Sequence, residues 1–234
     1  MSAAALAELA RIEAATAALR ALLDAPATSA AQTPLQPAPA PVRGLAEPAK
    51  FFDYVRSRPP LAPSLSQGEV DGCTRILGAC SAAAFSVGWT AYVLATAAHE
   101  TAGQLRPVRE YGKGAGMAYG KPGRNGGQVP YGRGDVQLTW DTNYERADRE
   151  LGLGGRLVAD YDLALDPEIS ARILVAGMEG GWFTGKGLRM FVAEVGRREQ
   201  FVAARKIVNG TDKAELIAGY AETFQAALQA GGWR

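Results

Sequence analysis

Residues 76 to 98, ILGACSAAAFSVGWTAYVLATAA, carry no charged side chain. An uncharged stretch of this length is either a membrane span or the buried centre of a globular domain. Gly78, Ser81, Ser86, Gly88 and Thr90 interrupt its apolar character, which favours two shorter buried helices with a turn between them. The first of these begins upstream, where Ser66 and Glu69 form a capping box ahead of Val70, Cys73, Ile76, Leu77 and Cys80 at helical spacing. The second runs from Trp89 to Thr101 and is ended by Gly103.

Further start signals follow along the chain. Thr142 and Glu145 repeat the capping-box spacing, Asp166-Pro167 supplies an N-cap with proline at the first helical position, and Asp212 with Glu215 precedes a long last helix ending at Gly231-Gly232. Strand-like text is scarce: Met117 to Tyr119, Val129 to Tyr131 and Val136 to Thr139 are the candidates for a small antiparallel element. The main domain, residues 49 to 234, is therefore expected to be mainly α. It follows an amphipathic helix over residues 1 to 24, with Leu9, Ile12, Leu19 and Leu23 near one face, and a Pro/Ala-rich linker over residues 25 to 48. The N-terminal helix is suited to bind a protein partner or to self-associate.

Composition removes several function classes. A formal net charge of +1 without clustered basic residues speaks against nucleic-acid binding. The chain has one histidine, His99, so no metal site is expected, and His99-Glu100 does not open an H-E-x-x-H motif because Gly103 stands at the last position. Cys73 and Cys80 lie two helical turns apart, roughly 10 Å by helical rise. That exceeds the roughly 7 Å limit for a disulfide, so both are expected as buried free thiols, in keeping with a reducing compartment. The N-terminal stretch has acidic charges in its apolar run and no basic start, unlike a secretory signal.

Two glutamates hold the chemical interest. Glu100 falls in the last turn of its helix, where the negative dipole end and loss of hydration both favour a neutral carboxyl, the form that protonates a leaving oxygen. Glu110 follows Arg106 and Arg109 in a turn, and two nearby guanidinium groups favour an anion suited to activating water. Spacing alone favours two solvated surface charges over a catalytic pair, and the segment that follows changes that balance. Residues 112 to 134 form a glycine-rich segment carrying Tyr119 and Tyr131. It is not a phosphate loop, since Gly120-Lys121 is followed by Pro122. Such a loop either lets tyrosine rings stack on sugar faces or is an ordinary surface loop. Beyond it, Gln137, Thr139 and Asn143 alternate with Val136, Leu138 and Trp140, as in a strand with a polar face and an apolar back. His99 is expected to orient Glu100 or to cap the helix end as a cation, and Trp182 and Phe183 to serve as core or hinge packing rather than as a sugar platform.

The segments AHETAG (97 to 102), YGRGDVQLTWDTNY (131 to 144) and IVNG (207 to 210), taken in order, resemble the glycoside hydrolase family of plant class I chitinases, in its bacterial and bacteriophage endolysin branch. The resemblance runs from about residue 51 to the C-terminus. It implies a lysozyme-like, two-lobed α+β fold and no cofactor. It also implies Glu100 as general acid and Glu110 as the second carboxylate. Thr139 would help hold the attacking water, and Gln137, Asn143 and Asn209 would line the cleft, with Tyr119 and Tyr131 as further sugar contacts. Two departures stand out. Asp135 occupies a position usually apolar, and the arginine that follows the N-G turn on the last helix in the plant enzymes is missing, with Leu216 or its neighbours there and Lys213 as a nearby charge.

The leading expectation is an endolysin-type peptidoglycan glycosidase, inverting, which requires roughly 6.5 to 9.5 Å between the carboxyls to admit a water. It would wait in the host cytoplasm until the membrane is permeabilised and then act on the cell wall. A chitinase acting on chitin is the alternative. A virion-associated sugar-binding protein without turnover is the second.

Overall fold

The structure is a computed structural model and describes residues 44–61 and 63–234. The expected N-terminal helix over 1 to 24, and the linker as far as residue 43, lie outside the described residues. The last linker residues are held against the C-terminus: Gly44 N–H donates to Arg234 O at 2.8 Å, Arg234 N–H returns to Gly44 O at 3.1 Å, and Glu47 N–H donates to Gly231 O at 2.9 Å.

The chain is mainly helical. α1 (Pro48–Val55), α2 (Gln67–Ala82) and α3 (Val87–Glu100) come first, then β1 (Val108–Arg109) and β2 (Arg133–Gly134). After these come α4 (Asp141–Glu150), α5 (Arg156–Ala159), α6 (Pro167–Gly180), α7 (Arg198–Ala204) and α8 (Ala214–Ala230). The uncharged stretch is split between α2 and α3 as expected, and no helix among the described residues is long and apolar enough to cross a membrane. α3 is buried from Thr90 to Ala98 on every side, which is how a helix apolar all round must sit. α8 packs along it, α7 and α1 pack on α8, and α2 lies against α6. Tyr92 of α3 stacks on Phe201 of α7 with centroids 5.9 Å apart. Cys73 and Cys80 are free and buried.

Helix starts follow the sequence signals where the side chain can reach the first turn. Ser66 and Glu69 form the complete capping box of α2, and Asp166 accepts from Ile169 N–H at 3.0 Å ahead of Pro167. Two expected caps are not made. α4 starts one residue before Thr142, with Trp140 as an N-cap that makes no side-chain bond, and α8 is preceded by Lys213 at φ 56° rather than capped by Asp212.

The sheet differs in position from the sequence expectation. β1 and β2 pair antiparallel, Val108 opposite Gly134 and Arg109 opposite Arg133. Met117 to Tyr119 instead enters a 3-10 turn, Ala118–Gly120, and of the run 136 to 139 only Leu138 makes a bridge, to Arg133. The cause is backbone geometry. Gln137 and Trp140 both have positive φ, 54° and 75°, which no extended strand accommodates.

One buried ion pair ties these parts together. Asp135 is fully buried, and Arg75 of α2 donates to both its oxygens, at 2.7 and 2.9 Å. Ser170 Oγ of α6 donates to Asp135 Oδ2 at 2.7 Å and accepts Asp135 N–H at 2.8 Å. Arg75 also donates to Leu105 O and Pro167 O. The residue that departs from the family pattern thus joins α2, the loop before β1, the end of β2 and the start of α6. Removing one partner of such a pair strands the other without compensation, at about 3 to 5 kcal/mol, whereas replacing both with apolar groups is often neutral. Asp135→Ala should therefore lower the urea midpoint steeply, and the double variant Arg75→Met/Asp135→Leu should recover part of the loss. A double variant no more stable than the single one would contradict this account.

Candidate active site

A cleft of about 430 Å³ opens between the end of α3 and the β side of the molecule. Glu100, Tyr119, Gln137, Thr139, Asn143 and Asn209 line it, together with Met117, Trp140, Phe183 and Val208. Six residues singled out in the sequence thus meet around one cavity, although they are spread over more than a hundred positions.

Glu100 is the last residue of α3, and its Oε1 accepts from Arg205 Nη1 at 2.8 Å. Arg205 is 3 % exposed, and its Nε is held by Asp212 O at 3.0 Å. The sequence expectation for Glu100 named only the helix end and lost hydration; a guanidinium distant in sequence pairs with it. This arginine stands four residues before Asn209, not after the N-G turn, and Asn209 N–H donates to Arg205 O at 3.0 Å. Lys213, considered as its substitute, is the N-cap of α8.

Glu110 follows β1 and does not line the cleft directly. Its Oε1 accepts from Tyr119 OH at 2.9 Å and its Oε2 from Gly132 N–H at 2.9 Å. The two arginines expected to hold it as an anion are committed elsewhere: Arg106 donates to Gln104 at 2.6 Å and Arg109 to Asp162 at 2.7 Å. Its connection to the cleft is therefore through Tyr119. The Tyr119 phenol is pushed above its ordinary value, by burial first and then by the hydrogen bond and charge of Glu110, so it remains a donor.

The other candidates have defined tasks. Thr139 Oγ1 donates to Gln137 O at 2.7 Å, which leaves its lone pairs as acceptors. Asn143 Nδ2 donates to Thr139 O at 2.9 Å. Gln137 Nε2 donates to Val108 O and Gly134 O, both at 3.2 Å, and so links the two strands. Asn209 is exposed on the cleft floor, its Oδ1 accepting Gly210 N–H at 2.8 Å.

Tyr131 is not brought to the cleft. It is buried, with the Arg133 guanidinium 3.5 Å over its ring and Tyr144 OH donating to its carbonyl at 2.8 Å, so its face is not available to a sugar. Trp182 is buried in the core as expected, whereas Phe183 also reaches the cleft wall.

Trp140 was hidden from sequence reasoning. Alternation placed it with Val136 and Leu138, which are buried, yet Trp140 is 47 % exposed and lines the cleft. Its backbone at φ 75° and ψ 137° turns the side chain outward, a conformation that costs a non-glycine residue on the order of 1 to 3 kcal/mol. Pro130 O accepts its N–H at 3.0 Å, and its carbonyl accepts from Asn143 and Tyr144 N–H. No sequence period signals such a reversal.

No model of a known protein family matches the chain. Over 46 residues it is 52 % identical to an acidic endochitinase, pcht28, of Solanum chilense. It is 50 % identical over 46 residues to an acidic 26 kDa endochitinase of Solanum lycopersicum. In each case the match spans 19 % of this chain and 18 % of the relative. Among solved structures, chitinase C from Streptomyces griseus HUT6037 superposes with a TM-score of 0.51 at 24 % identity, covering 80 % of this chain and 76 % of that one. The fold is chitinase-like. The mainly helical, lysozyme-like architecture with a small antiparallel sheet, expected from the resemblance, is thus the one present in this chitinase-like fold.

His99 faces away from the role expected for it. It lines a separate small cavity with Pro60, Ala102, Gly103 and Tyr220, and makes no side-chain hydrogen bond to Glu100. Burial holds it below the ordinary value of 6.5, opposed by Glu100 and Asp212 and assisted by Arg205 and Lys213, so the neutral ring is favoured over a capping cation. A histidine depressed in the folded state contributes stability above its unfolded value, and that contribution is lost as pH falls below it. The urea midpoint of the wild type should therefore fall more between about pH 7.5 and 5.5 than that of His99→Gln. Equal slopes for the two proteins would refute this assignment.

Proposed function

We propose that this chain is a glycoside hydrolase of β-1,4-linked N-acetylglucosamine polymers, with chitin as the substrate. The observation that carries the reading is the position of Glu100 at the cleft, one oxygen clamped by a buried arginine, on a chitinase-like fold. The names of the curated relatives and of the solved structure, all chitinases, support chitin over other polymers.

In this reading Arg205 holds Oε1, so the transferable proton sits on Oε2, which has no hydrogen-bond partner among the described residues. Glu100 protonates the glycosidic oxygen. Glu110, oriented by Tyr119 and by the Gly132 N–H, takes a proton from a water. Thr139 accepts a second hydrogen bond from that water, because its own proton is engaged by Gln137 O. Attack from the face opposite the leaving group inverts the anomeric centre.

A second reading is endolysin-type action on peptidoglycan, which presents the same linkage. It is favoured by the ten-residue spacing of Glu100 and Glu110, the pattern of the phage and bacterial branch that the sequence resembles. Purified protein assayed side by side on chitin oligomers and murein sacculi separates the two. Release from chitin oligomers with the α-anomer as first product is expected, and turbidity loss of sacculi without chitin cleavage would transfer the assignment to peptidoglycan. Glu100→Gln should lower kcat by about 10²- to 10⁴-fold, the usual contribution of a general acid. Turnover unaffected by that substitution would remove Glu100 from the role. No turnover by the wild type on either polymer would leave a sugar-binding protein.

A further inference from the structure

We infer that Trp140 and Tyr119 form a sugar-stacking subsite whose Tyr119 wall also orients Glu110 behind it. This rests on the glycosidase reading above and adds to it a binding determinant.

The two rings meet edge to face, with centroids 5.3 Å apart and planes at 79°, so they form two walls of a corner in the cleft. Of the four tryptophans in the chain, Trp140 alone presents its ring at the cleft. Trp89 and Trp233 commit their indole N–H groups to Val192 O and Phe85 O, and Trp182 lies in the core. Trp140 is 47 % exposed in a backbone conformation unfavourable for a non-glycine residue, whereas its neighbour Leu138 is buried. A bound polymer supplies the reason. The axial C–H groups of a β-linked pyranose make an apolar face with slight positive charge, which matches the negative face of an aromatic ring. Apolar walls with a few placed polar groups are what a ligand cleft presents.

The corner also reaches the chemistry. Tyr119 carries one wall on its ring and donates its hydroxyl to Glu110 Oε1 at 2.9 Å. A sugar seated against Trp140 therefore packs on the same tyrosine that orients Glu110. Trp140 is the stacking residue, and Tyr119 both packs against it and positions the carboxylate. The ligand class is the N-acetylated β-1,4 glycan of the glycosidase reading.

The test uses the Glu100→Gln protein, whose turnover is expected to be slowed about 10²- to 10⁴-fold, and the N-acetylglucosamine tetramer as probe. Titration should change tryptophan emission, and Glu100→Gln/Trp140→Phe should lose that change. Trp140→Ala should weaken binding about tenfold, equivalent to about 1.4 kcal/mol, and raise KM more than it lowers kcat in the active protein. Trp140→Phe should restore part of the affinity. Thermal midpoints should stay close to that of the parent, because the side chain is half exposed. Unchanged affinity and KM in Trp140→Ala, with the wild type still cleaving, would overturn the subsite and leave the glycosidase reading intact. Failure of the wild type and Glu100→Gln to bind or cleave either chitin oligomers or murein fragments would remove both.

Discussion

The carboxylate of Glu100 stands at the C-terminal end of α3, where the helix dipole is negative and a second negative charge is unfavourable. Arg205 answers it from within the protein, with its guanidinium buried and its Nε held by Asp212 O. Arg205 is the buried member of the pair, and its guanidinium needs an acceptor at that place, which Glu100 supplies. The pairing therefore fixes the end of α7 and the N-G turn against the end of α3. Asn209 reaches the cleft floor because its backbone is bonded to the same arginine.

The opposite wall is organised by a second guanidinium. Arg75 and Asp135 anchor the end of β2 to α2 and α6, and the backbone beyond them carries Gln137, Thr139 and Trp140. Because Gln137 also links to Val108 O, β1 and the start of the Glu110 segment move with this wall. The cleft thus lies between two walls, each tied to an ion-paired arginine. Gln137, Thr139 and Asn143 are engaged with backbone carbonyls, which keeps their orientation defined before any ligand arrives.

How much of this was legible varied with the range of the physics involved. Ser66, Asp166 and Pro167 act on residues three or fewer positions away, so their caps could be read directly. The uncharged run of 76 to 98 demanded burial and received it in α2 and α3. Thr142 and Asp212 carried the same spacing signals but make no cap, because Trp140 and Lys213 turn the backbone first with positive φ. The sequence expectation for Glu110 named guanidinium groups that bond elsewhere, and that for Glu100 named none. Arg106 and Arg109 are neighbours of Glu110 only along the chain, whereas Arg205 reaches Glu100 only through the fold.

Sequence by itself determined the helical class, the buried free cysteines and the central apolar helix, because these depend on local periodicity, capping and residue chemistry, while six of the cleft-lining side chains were named with the help of the family resemblance. Tertiary structure decided which charges meet, where the two short strands pair, that Tyr131 is covered while Trp140 is exposed, and that Glu110 is reached through Tyr119. The reason is physical. Periodicity tells which side of an element turns inward, but long-range ion pairs and reversals of backbone hand are settled only when distant segments pack and each buried charge must find its partner.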